Sequence, residues 1–63
     1  MRVYAGWVLR IGPVVATVVG AQKLRGVQSY VLRTPQGVRR IGRDALLAGL
    51  HDGSIKYVES IAP

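Results

Sequence analysis

The sequence predicts a mainly β domain with one short α-helix, in the order strand, strand, strand, strand, helix, strand. The architecture expected is a small curved antiparallel sheet or a partly open SH3-like barrel. Three observations predict it. Apolar and polar residues alternate from Arg2 to Ile11, the pattern of a strand with one buried face. Glycine and proline punctuate the chain at short intervals, as turns do. A single leucine stripe (Leu46, Leu47, Leu50) has helical spacing.

The elements follow in order. In Arg2–Ile11, Val3, Ala5, Trp7, Leu9 and Ile11 fall on one side, the expected core side, and Arg2, Tyr4, Gly6, Val8 and Arg10 on the other. Gly12-Pro13 ends this strand. Val14 to Val19 is the second strand, and it carries Val14, Val15, Val18 and Val19 on both faces. A strand that is apolar on both faces calls for cover on both, so these four valines are expected to form an oligomer interface. Gly20 to Gly26 reads as a glycine-bracketed link and Val27 to Thr34 as the third strand.

In Thr34-Pro35-Gln36-Gly37, proline at the second position and glycine at the fourth suit a type I turn. With Gly37 left-handed, the turn becomes a three-residue hairpin loop with a glycine bulge, which sets Thr34 opposite Val38 and Arg33 opposite Arg39. A tighter two-residue loop pairs Arg33 with Val38 instead. Val38–Ile41 returns. The helix is expected within Gly42–Gly53, with Asp44 favoured at its positive end and Gly53 as a left-handed cap. Gly49 inside it costs roughly 1 kcal/mol relative to alanine. Ser54–Ile61 is the last strand.

Sixty-three residues allow a single domain over residues 1–63. A chain this short buries only roughly 60% of the surface that its unfolded form exposes, so a disulfide, a metal or self-association is the usual support. There is no cysteine, and His51, Asp44, Asp52 and Glu59 are too few and scattered for a closed metal site. No cofactor is expected. A homo-oligomer is. Arg10 and Gly12-Pro13 interrupt the apolar stretch Val3–Ala21, which argues against a membrane span or signal core. The expected location is the cytoplasm.

The charge balance is nine Lys+Arg against three Asp+Glu, a formal +6, and seven of the nine cations are arginine. A GC-rich genome accounts for arginine over lysine but not for the scarcity of acids. Guanidinium groups fit phosphate and carboxylate in a bidentate way, so an anionic partner is expected. The candidate anion- or nucleic-acid-binding residues are Arg33, Arg39, Arg40 and Arg43 around the basic hairpin. Arg2, Arg10 and Tyr4 are expected to share a face of the first strand, with Tyr4 as a base platform. Facing arginines repel each other, and a bound anion relieves this. Two-stranded ribbons also enter nucleic-acid grooves.

Catalysis is not expected. His51-Asp52 are adjacent residues at a helix end, there is no cysteine nucleophile, and Ser29, Ser54 and Ser60 have no elbow motif around them. The glycines form no phosphate-loop pattern.

The stretch Tyr30–Val58, YVLRTPQGVRRIGRDALLAGLHDGSIKYV, resembles small accessory proteins of phages and integrative elements in its hairpin, Leu-Leu helix, glycine and final strand. It covers under half the chain. The resemblance implies a protein that binds nucleic acid, blocks a host protein, or captures a signalling nucleotide as an anti-defence protein. The leading expectation is a non-enzymatic binder of nucleic acid through its phosphate backbone. The others are such an anti-defence protein, or a small structural or assembly subunit.

Overall fold

The computed structural model describes residues 2–61. It contains β1 (Trp7–Ile11), β2 (Val14–Leu24), β3 (Val27–Thr34), β4 (Gly37–Gly42), α1 (Arg43–Asp52) and β5 (Ile55–Ser60). All pairings are antiparallel, in the order β4-β3-β2-β1-β5. The chain is thus mainly β with one helix, as its pattern predicts. The sheet stays open, with β4 and β5 at its edges, and is not a closed barrel.

Tight turns set the registers. Gly12-Pro13 joins Ile11 to its partner Val14, with Gly12 at φ +61°. Glycine at the first central position suits a type II′ hairpin turn. Arg25 and Gly26 both have positive φ, 52° and 78°, between the partners Leu24 and Val27, the requirement of a type I′ turn. The expected link Gly20–Gly26 is therefore mostly strand. β2 continues to Leu24 because a bulge at Val19 absorbs one residue: Val18 pairs with Leu32 and Gly20 with Val31. A second irregularity lies between β1 and β5, where Val8 pairs with Glu59 but Leu9 with Tyr57.

One face of the sheet, the inner face, carries the core. Leu9, Ala16, Val18, Tyr30, Leu32 and Ile55 are buried there with Leu46 of α1 and Val3. Leu47 and Leu50 pack at the margin. The helix seats closely on β5 because Gly49 has no side chain: a Cβ there would lie 2.5 Å from Ile55 Cδ1 and 2.6 Å from Cγ1. Gly53, at φ +89°, ends the helix and donates its N–H to the Gly49 carbonyl at 3.0 Å.

The first expected strand is shortened. Residues 2–6 are not strand, and Gly6 at φ +94° breaks the alternation before Trp7. Val3 still reaches the core, whereas Ala5 is exposed and Val8 is buried. The four-valine interface also divides. Val18 is 1% exposed and belongs to the chain's own core, so it is not free to meet another subunit. Val14 is half-buried on the same inner face, while Val15 and Val19 face outward, 50% and 41% exposed.

Candidate anion-binding surface

Register decides where each cation points. The loop between β3 and β4 has two residues, Pro35 and Gln36, so Thr34 pairs with Gly37, Arg33 with Val38 and Leu32 with Arg39. The three-residue bulged loop does not form, and Arg33 and Arg39 do not face each other. The cause is local. The Gln36 N–H donates to Thr34 Oγ1 at 3.2 Å, and the Thr34 hydroxyl donates to the Gly37 carbonyl at 2.9 Å. One side chain thus clamps both sides of the turn.

The consequence is a division of the arginines by face. Arg33 and Arg40 lie outward, diagonal to one another through the pairs Arg33–Val38 and Val31–Arg40. Arg39, opposite the buried Leu32, lies on the inner face. Arg43 begins the helix and approaches Asp44 at 3.7 Å, the one ion pair among the described residues. Both groups are well exposed, so the pair contributes little.

Arg2 is exposed in the non-strand segment. Tyr4 does not share a strand face with Arg10, because no strand runs through residues 2–6. Instead Tyr4 lies 6.1 Å from Trp7, whose ring meets Tyr57 edge-on at 4.8 Å. Trp7 is half-buried against the core, and Tyr30 is a core residue.

The outer face contains a cluster that sequence reasoning missed. Arg10 of β1 pairs directly with Lys56 of β5. Cross-strand partners have Cβ atoms about 5 Å apart, and like charges so placed repel. The two cations border a hollow of about 280 Å³ lined also by Gly12, Gly53 and Ser54. No lining residue is acidic, and the two glycines leave backbone accessible. Comparison with protein-family models, curated proteins and solved structures returned no match. The site is therefore read from its own chemistry.

Two groups temper the positive field. The α1 C-terminus points its partial negative charge toward Gly53, an effect worth roughly 0.3–1 kcal/mol against an anion. Asp52 is adjacent, but its Oδ1 accepts the Ser54 N–H at 2.8 Å. That bond, with a further one from the Ser54 side chain and the nearby His51, holds its carboxyl below the ordinary aspartate range. Asp52 thus works as a turn clamp. The His51-Asp52 pair has no cysteine to serve, and among the described residues no three His, Cys, Asp or Glu groups cluster as metal ligands.

Across the outer face, Val15–Arg10–Lys56 forms one row and Val38–Arg33–Thr17–Val8–Glu59 the next, with Arg40 beside Val31 beyond it. Glu59 is the only acid in these rows. At the far end of the β2–β3 hairpin, Lys23 and Arg25 add two more cations. Sequence pattern alone does not single them out, because Gly20 and Gly26 bracket them as a link would be bracketed.

Proposed function

We propose that this chain is a non-enzymatic module that binds nucleic acid through its phosphate backbone with the outer face of its sheet. The observation that supports this reading best is the direct opposition of Arg10 and Lys56 over a hollow lined by Gly12, Gly53 and Ser54. Folding gains nothing from two facing cations, and a phosphate seated between them removes the repulsion and adds charge-assisted hydrogen bonds. Arg33 and Arg40 extend the cationic surface along the same face, toward neighbouring phosphates.

Backbone binding of this kind releases counterions, so affinity falls with salt. Four phosphate contacts on duplex DNA give a slope of log K against log salt of about −3.6. Arg10→Gln with Lys56→Gln lowers affinity and reduces that slope by about 2, evenly across sequences. A titration at low salt that detects no binding to duplex or single-stranded oligonucleotides removes the proposal.

The outward Val15 and Val19 support a second reading, self-association. Val15 is the cross-strand partner of Arg10, so a second copy seated on these valines brings its cations to the same surface. Polyanion and second copy then compete for one face. No helix among the described residues is long and apolar enough to cross a membrane.

A further inference from the structure

The inner face of the sheet is not fully covered. Between the β1–β2 and β3–β4 hairpin ends lies an open cleft of about 440 Å³. Small-molecule sites commonly run from roughly 300 to 1,000 Å³. Its floor is Ile11, Val14, Ala16, Leu32 and Ile41, contributed by all four strands from β1 to β4, with no helix residue in the lining. Arg39, Gln36 and Thr34 border it on the β3–β4 side, where β4 also contributes Arg40, a residue of the outer face.

Each polar group has a distinct standing. The Thr34 hydroxyl is engaged in the turn, since it donates to Gly37 and accepts from Gln36. Arg39 lies on the inner face opposite buried Leu32 and has no ion-pair partner among the described residues. No acid lines the cleft. The charged groups at its rim are therefore of one sign, and a guanidinium offers a fork matched to a carboxylate. The floor is entirely aliphatic. It presents no ring on which a nucleobase could stack, and an alkyl chain gains from burial there.

We propose that this cleft binds a free aliphatic carboxylate, with the alkyl chain along the aliphatic floor and the head group on Arg39. This site lies on the face opposite Arg10 and Lys56, and it stands whether or not nucleic acid binds there.

The test is a titration of the ¹⁵N-labelled chain with decanoate below its micelle threshold, followed by amide shifts, with decanol and AMP in parallel. Saturable shifts confined to Ile11, Val14, Leu32, Arg39 and Ile41 are expected. Arg39→Gln, an exposed position whose loss leaves the fold intact, weakens decanoate by about tenfold, the scale of a charge-assisted hydrogen bond. Decanol binds the wild type more weakly than decanoate and is indifferent to that substitution. Val14→Phe, which fills the cleft, abolishes the shifts, and Val14→Ala retains them. Arg10→Gln with Lys56→Gln leaves decanoate binding unchanged. Absence of saturable binding, undiminished binding to Arg39→Gln, or preference for AMP overturns the proposal.

Discussion

Gly49 shows how a residue that is poor for its own element can serve the whole. Its helix-propensity cost is roughly 1 kcal/mol, yet a Cβ there would overlap Ile55 Cδ1 at 2.5 Å. Gly49→Ala is therefore expected to destabilise by about 1–2 kcal/mol net, overpacking exceeding the helical gain. In an Ile55→Ala background, itself destabilised, the same change costs less or becomes neutral, because Cδ1 and Cγ1 are gone and only the contact with Cβ, at 3.2 Å, remains. Urea unfolding of the four variants measures that coupling. Asp52 supplies a pH signature. Its folded-state pKa lies below the ordinary value. The stability it contributes is thus present above its unfolded pKa and lost as pH falls through the folded one. Asp52→Asn, which keeps an oxygen for the Ser54 N–H, should flatten the acid limb of a plot of urea midpoint against pH. An unchanged acid limb would show that the Asp52 carboxylate is not held in solution.

At the scale of elements, local signals were legible and long-range pairings were not. The third strand and the helix bounded by Gly42 and Gly53 sit where the punctuation and the Leu46–Leu50 stripe placed them. The hairpin register was not legible, because the choice between two and three loop residues rested on the Thr34 side chain. Thr34→Val removes that clamp at similar shape and should cost about 1 kcal/mol, read from the shift in urea midpoint. The Arg10–Lys56 pair was invisible for a different reason. It depends on β5 returning beside β1 from the other end of the chain, and no short-range pattern encodes that. The β2–β3 arm was missed because Gly20 suggested a break, whereas Val19 absorbs the irregularity as a bulge. Of this arm, β1 pairs only with Val14–Thr17, and beyond Ser29 β4 gives no further partner. Amides from Gln22 to Gln28 should accordingly exchange faster with solvent than those of Ala16–Val18.

For the whole molecule, the governing quantity is a formal charge of +6 on a small surface. Salt acts in opposite directions on its two proposed associations. Raising ionic strength weakens phosphate binding but screens the cations that keep copies apart. Sedimentation should therefore show mass increasing with salt, while oligonucleotide affinity falls. Mass that is independent of salt removes the self-association reading. A complex that survives high salt argues that contacts other than phosphates carry the binding. The valine surplus in β2 anticipated an uncovered apolar surface. Only Val15 and Val19 among the four are on it, because Val14 and Val18 occupy the alternate inward positions.

The bulge at Val19 also gives β2 an unusual tolerance. Side chains alternate with a period of two, so losing a residue from a regular ladder turns everything beyond it inside out. Val19 is the residue without a counterpart on β3. Excising it joins Val18 to Gly20 while Leu32 and Val31 keep their mates, whereas excising Thr17 inverts the remainder of the strand. A single-codon deletion should thus be survivable at one position of this strand and ruinous two positions earlier, a contrast visible in their melting curves.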